Sequence, residues 1–309
     1  MDGAAGLRDH SHERTTSEAL TRPLIIALMI TASFTVIELI GGLLSGSLAL
    51  MSDAGHMFTD TLALILSLGA LRIALRPPTE ERTFGFTRAE ILAALTNATV
   101  LIVLSLIILY EAVMRFFNPP EINEFIMLIV AIAGLGANTA GIYFLHDQSR
   151  TNLNIRGAFL HVMGDLLSSI GVIVAALLIY FFDLTIADPI LSAFIGAIIL
   201  YNAWKLLTQS TSILLESVPS HIELKDVRDA LMKIEGITEI HDLHIWTLAS
   251  GLYALSAHVV VSDRRVSDCS DLIERSEHIL KERFSITHTT FQIECEECQK
   301  EACVFQKHD

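Results

Sequence analysis

The sequence predicts an α-helical membrane protein, six transmembrane helices followed by a small α+β domain. Three observations carry that expectation. The 309-residue chain is 52% hydrophobic and only 18% charged, with a mean hydropathy of +0.52, too apolar for an average globular protein. The excess is concentrated before residue 210, in six long apolar runs. After Lys205 the character changes to short amphipathic patterns of helical and strand period.

The six runs cover residues 24–44, 48–75, 89–117, 124–145, 154–182 and 186–207. Each holds or approaches the ~20 apolar residues that a helix needs to cross a bilayer. The breaks at 45–47, 76–87, 118–123, 146–153 and 183–185 read as short loops. Arg72, Arg76, Arg82 and Arg88 flank the second loop, and Arg150 and Arg156 the fourth. The first and fifth loops carry no Lys or Arg, and the third has only Arg115 nearby. Basic residues favour the cytoplasmic side, so the second and fourth loops and both termini are expected there, as an even number of spans requires. Residues 1–21 read as a polar, His-containing cytoplasmic tail that lacks the apolar core and cleavage motif of a signal peptide. A transmembrane domain over 22–208 and a cytoplasmic domain over 209–309 complete the expected organisation. Gly42 to Gly46 offers a small-xxx-small patch for close helix approach.

In the tail, Ser220 is placed to cap a helix with Val227, Leu231 and Ile234 at helical spacing, ending at Gly236. Residues 237–248 and 252–261 read as strands around Ser250–Gly251, a hairpin turn signal. A second amphipathic helix over 268–284 has Leu272, Ile273, Ser276, Ile279 and Leu280 on one face, and 286–293 is a last strand. Helix–strand–strand–helix–strand in roughly ninety residues predicts an open αββαβ sandwich of ferredoxin-like type.

The chemistry is concentrated in two of the spans. SDAGHMFTD at 52–60 carries Asp53, His56 and Asp60 where a spanning helix is expected, and His56 and Asp60, one turn apart, share a helix face. The pattern returns as HVMGD, with His161 and Asp165 at the same spacing. A lone His-x3-Asp on a soluble helix is usually a capped or solvated pair. Inside a bilayer each ionisable residue costs about 2.5–3.5 kcal/mol on insertion scales, so such residues generally mark a pathway or a site. Structural polar contact between helices is the main competing reading; two copies of one costly pair favour a site. Together they supply two imidazoles and two carboxylates, a tetrahedral set for a zinc-like cation whose charge the carboxylates cancel. The six runs divide into two sets of three, with one pair in the middle helix of each. An odd number of helices per half gives the halves opposite topology, so the second and fifth helices are expected antiparallel with both pairs at mid-membrane.

The formal net charge of −14 argues against nucleic acid as a partner. From Glu216 onward, eighteen Asp and Glu outnumber ten Lys and Arg, which suits cationic ligands and equally ordinary solubility. Cys295, Cys298 and Cys303 crowd the C-terminus; in a cytosolic tail they are expected as reduced thiols or metal thiolates rather than disulfides.

With these residues in hand, the chain resembles the cation diffusion facilitator family, especially its bacterial cobalt–zinc–cadmium resistance branch. The resemblance covers nearly the whole chain. It rests on ELIGGLLSGSLALMSDAGHMFTD in the first two helices, FGFTRAE entering the third, NIRGAFLHVMGD in the fifth and HDLHIWTL in the tail. It implies a homodimeric, six-helix, proton-coupled exporter of divalent cations, chiefly zinc, with a metallochaperone-like cytoplasmic domain. Carried over by position, His56, Asp60, His161 and Asp165 look like the family's central transport site. A His in the first position of the second-helix pair is similar to zinc-preferring members, whereas members with Asp there look more permissive toward cadmium. Cobalt and cadmium stay open as secondary substrates.

Two features depart from the family's pattern. Thr87 stands in FGFTRAE where many relatives carry His, and residues 76–90 hold no His or Cys, which argues against a metal site in that loop. The fourth loop is short and lacks the His-rich tract of some eukaryotic members, which favours a bacterial plasma membrane over a vesicle. In the tail, the resemblance implies a regulatory metal at His241 and His258, with Glu294 near a third, carboxylate position and Gln292 where a matched His is absent. His244 is read as hydrogen-bonding within the sheet. Cys295-x2-Cys298 supplies half of a zinc shell, and His10 and His12 in DHSHE are candidates for the other half, from either protomer. The competing reading is a terminus with reduced cysteines. Rival functions are a membrane metal sensor and a metal-dependent membrane hydrolase. The hydrolase needs an open metal position and usually a general base, whereas HExxH is absent and all four ligands are taken up by the ion.

Overall fold

The computed structural model describes residues 29, 32–149, 153–262 and 265–295; the side chains of 144, 145, 147–149, 153–158, 160, 161, 266 and 268 lie outside that description. Among the described residues, six apolar helices come first: α1 (Ala32–Ser45), α2 (Leu48–Ala74), α3 (Ala89–Phe117), α4 (Glu124–Ser149), α5 (Leu153–Phe182) and α6 (Ala187–Leu214). Helices α2 to α6 are long and apolar enough to cross a membrane. The predicted first span begins outside the described residues, and α1 is its described part. Large apolar side chains such as Phe58, Ile65, Leu68, Val103 and Phe194 stand exposed, a surface that suits hydrocarbon rather than water. Helix α6 runs on to Leu214 instead of stopping at 207, because the polar residues Thr208–Ser212 end the hydropathy without breaking the backbone ladder. The first helix breaker beyond it is Pro219.

The described residues form two compact units, those up to 66 with 96–205, and 67–95 with those from 206 onward. In the first, Gly46 turns the chain from α1 into α2 at a φ of 71°, a left-handed conformation that favours glycine. It is closely approached as well, since an added Cβ would lie 3.1 Å from the Glu121 carbonyl oxygen on Gly46 and 2.8 Å from Met51 Cγ on Gly42. Helix α1 also approaches α4 closely at Gly41 and Gly134, where an added Cβ would lie 2.6 Å from Val130 Cγ2 and 2.8 Å from Phe34 Cε1.

The start of α2 is held from a distance. Ser47 caps it locally, its Oγ accepting from the Leu50 amide at 3.2 Å. Asp188, in the first turn of α6, accepts from Ser47 Oγ at 2.5 Å, the Leu48 amide at 2.8 Å and the Ala49 amide at 3.2 Å. Arg115 of α3 donates to the Gly46 carbonyl at 2.6 Å. Below this point Ala49 and Leu50 join Val172, Ala175, Ala176 and Ile179 in one buried cluster. The start of α2 thus shares one buried cluster with the later half of α5. A second cluster joins α3 to α6 through Leu101, Ile108, Ile195, Ile199 and Ala203.

In the second unit the tail folds as α7 (Leu224–Leu231), β1 (Ile237–Ala249), β2 (Leu252–Val261), α8 (Ser270–Phe284) and β3 (Ile286–Glu294), the predicted order. The described sheet runs β1-β2-β3, with β1 and β2 antiparallel and β2 and β3 parallel. The parallel pair needs a crossover, and α8 provides it. The hairpin turn falls at Ser250–Gly251, with Gly251 at a φ of 75°. Val227, Leu231, Leu255, Leu272, Leu280 and Ile286 fill the core between helices and sheet. One cap differs from expectation: Glu223, not Ser220, occupies the N-cap of α7, because the chain first turns through the Ile222 amide to Pro219 carbonyl bond. The loop between α2 and α3 belongs to this unit. Its Phe84 meets His288 edge-on at 5.4 Å, and Arg88 pairs with Glu216 at 2.9 Å.

Candidate metal centres

Helix geometry on α2 brings His56 Nε2 to 3.6 Å from Asp60 Oδ2. These side chains are 29% and 27% exposed, whereas Asp165 on α5 is buried. His161 lies in α5 one turn before Asp165, but its side chain is outside the described residues. The two helices meet beside these residues. Ser168, three residues after Asp165, donates from Oγ to Oδ1 of Asp53, three residues before His56, at 2.7 Å. On the neighbouring residue, Asn138 of α4 donates to Ser169 Oγ at 3.1 Å.

Glu38 of α1 and Asp53 are each 1% exposed and stand within electrostatic reach of one another and of Asp165. Glu38 Oε2 and Asp53 Oδ2 have no hydrogen-bond partner among the described residues. Buried carboxylates without a compensating cation are costly, so this part of the bundle is electrostatically prepared for positive charge. Sequence reasoning noted Asp53 without giving it a role and passed over Glu38, Ser168 and Asn138. The available signal was weak, a single polar residue in an apolar run with no repeated spacing.

The tail site is assembled by strand register. His241 on β1 lies opposite His258 on β2, and Val260, two residues on, lies opposite Glu294 on β3. His241 Nε2 is 3.1 Å from Glu294 Oε2, and His258 Nδ1 is 2.9 Å from Glu294 Oε1. One ligand atom from each of the three fits within 4.8 Å of the others. Two imidazole nitrogens and a carboxylate at this spacing fit a divalent cation with a coordination position left over.

Asp242 is the residue that sequence reasoning missed here. It sits at a β-bulge between His241 and His244, with a φ of 51°. Its Oδ2 is 3.8 Å from His258 Nε2 and its Oδ1 is 3.2 Å from His244 Nε2. His244 therefore pairs with Asp242 beside the cluster instead of joining it. Gln292 donates to Glu294 Oε1 at 2.8 Å. Cys295 is exposed. Cys298, Cys303, His10 and His12 lie outside the described residues, and with them the proposed thiolate–imidazole site.

Residues 24–215 match the cation efflux transmembrane domain, and residues 219–296 match the cation efflux protein cytoplasmic domain. The chain belongs to the cation efflux family. Its relatives include the cadmium, cobalt and zinc/H(+)-K(+) antiporter of Bacillus subtilis, 41% identical over 93% of this chain and 92% of that protein. The metal cation efflux system protein CzcD of Cupriavidus metallidurans is 40% identical over 94% and 91% of the two chains. The zinc transporter ZitB of Escherichia coli is 39% identical over 95% of each. The solved metal-bound C-terminal domain of the Cupriavidus CzcD transporter is 36% identical over 24% of this chain and 99% of its own, with a TM-score of 0.22. Family and relatives make this protein a transporter and not an enzyme, which removes the hydrolase reading.

Proposed function

We propose that this protein exports divalent cations, chiefly zinc, from the cytoplasm in exchange for protons, with cobalt and cadmium as secondary substrates. The observation that carries the reading is the His56–Asp60 pair on α2, a helix that the Asp53–Ser168 bond ties to α5 one turn from buried Asp165. The substrates in the relatives' names support the choice of metals. Zinc enters from the cytosol when the site faces inward and binds His56, Asp60, His161 and Asp165. The ligand helices then rock, and the site faces outward. Zinc binds the unprotonated imidazoles and carboxylates, so protons compete with it for these four ligands at the outer face and leave as the site reloads inside.

The surrounding architecture is six spans over 22–208 in a bacterial inner membrane, with both termini cytoplasmic and two copies forming a homodimer through the tail. Arginines around the second and fourth loops support that orientation. The αββαβ order of the 209–309 domain supports a ferredoxin-like fold. Its His241, His258 and Glu294 cluster fits a regulatory zinc, which would tie the three strands together. Cys295 and Cys298 with His10 and His12 are proposed as a further cytoplasmic site.

The test is zinc flux in proteoliposomes under an imposed pH gradient. Uptake into vesicles should follow the gradient and collapse with a protonophore. Flux indifferent to the protonophore would remove proton coupling, and tight zinc binding with no flux would mark a metal sensor instead.

A further inference from the structure

The Asp53–Ser168 hydrogen bond joins the two helices that carry the transport ligands, one turn from each ligand pair. Along α2, Asp53 lies three residues before His56, and along α5, Ser168 lies three residues after Asp165. With a rise of about 1.5 Å per residue, each end of the bond is about 4.5 Å along its helix from a ligand. The acceptor is 1% exposed, and the bond spans 115 residues of sequence. A hydroxyl donating to a carboxylate makes one of the stronger hydrogen bonds, and little water competes for it here.

Packing on α2 changes character at this level. Its start is buried through Leu48, Ala49, Leu50, Ala54 and Met57. Beyond Thr59 the helix exposes Leu64, Ile65, Leu68 and Leu71, and no residue of that stretch joins a buried cluster. The bond therefore lies inside the buried start of α2, which runs on through Met57 and Thr59, and His56 and Asp60 stand at the end of that stretch. On α5 the same level is anchored twice, through Ser168 to α2 and through the adjacent Ser169 to Asn138 of α4.

We propose that Asp53 and Ser168 are positioning residues: their bond sets the separation of α2 and α5 at the transport site and so the size of cation the four ligands accept. The inference rests on the proposed transport site. Neither residue needs to touch the ion. Zinc asks for ligand atoms at about 2.0–2.2 Å, and cadmium, a larger ion, asks for a wider shell. A fixed helix separation favours the smaller ion, and releasing the bond lets the pairs spread.

The experiment measures zinc and cadmium uptake by the full-length protein in proteoliposomes. Ser168→Ala should raise the KM for zinc about five- to tenfold, the scale of one lost hydrogen bond. It should also lower the preference for zinc over cadmium, with a smaller change in maximal rate. Ser168→Thr keeps the hydroxyl and should recover most of both values. Asp53→Ala removes the bond from its other end, and the Asp53→Ala, Ser168→Ala double variant should be no worse than the poorer single one. Wild-type KM and preference in Ser168→Ala would overturn the proposal. So would a Thr variant as impaired as the Ala variant, or additive losses in the double variant. The transport reading fails separately, by absence of zinc flux in the unaltered protein.

Discussion

At a φ of 51°, Asp242 occupies a left-handed conformation that costs a non-glycine residue about 1–2 kcal/mol. The bulge around it puts one extra residue on β1 between the pairs His241–His258 and His244–Ser256. That break in alternation aims the Asp242 carboxylate at His258 and His244. His258 then has Glu294 on its Nδ1 side and Asp242 on its Nε2 side, an arrangement in which an outer carboxylate orients a metal-binding imidazole. His241 and His258 were legible by resemblance, but a period-two reading of HDLHIW conceals the bulge and with it the use of Asp242. Asp53 stands in a motif the sequence displays plainly, while its partner Ser168 is 115 residues away and carries no signal of its own. If the tail cluster holds zinc, a concentration a hundredfold above its dissociation constant adds about 2.7 kcal/mol to the stability of the domain. Thermal unfolding of full-length protein, followed at Trp246 in β1, should rise with zinc in the wild type and lose that rise in Glu294→Gln. An equal rise in both proteins would demote the cluster to a structural role.

The N-terminus of α2 shows an element stabilised by a residue that local sequence does not offer. Ser47 is a cap of ordinary type and could be read from the chain. The main acceptor is Asp188, which takes the Ser47 hydroxyl and two backbone amides from the first turn of another helix. A carboxylate there also suits the positive end of the helix dipole. Since α2 carries His56 and Asp60, its seating fixes where these proposed ligands stand. Asp188→Ala would leave two buried amides without their acceptor at a cost of about 3 kcal/mol. The melting temperature in detergent should fall clearly, and Asp188→Asn, which keeps one carbonyl acceptor, should fall less. An unchanged melting temperature in Asp188→Ala would show that the turn holds without it. Helix existence was legible throughout, because long apolar runs admit few other structures in a bilayer. Helix ends were less so, as α6 shows by continuing through polar residues to Leu214.

Across the whole molecule, the sequence shows a break in character near Lys205, and the tail elements fall close to their expected bounds because Gly236 and Gly251 punctuate β-rich stretches. The compact units are not continuous in sequence, since Ser67–Leu95 groups with the tail. Pairs such as Arg88–Glu216 and Phe84–His288 contribute to that grouping. They join residues more than a hundred positions apart, and hydropathy carries no record of such pairings. The central claim concerns the first unit: cation transport runs through the paired imidazoles and carboxylates of α2 and α5. The most direct test is proton-driven zinc uptake by Asp60→Ala and Asp165→Ala in proteoliposomes, with each variant first shown to be a folded dimer by size-exclusion chromatography. Uptake should be abolished in both, because each substitution removes a ligand and leaves a positive charge uncompensated in the bilayer. Wild-type flux in either variant would contradict the assignment.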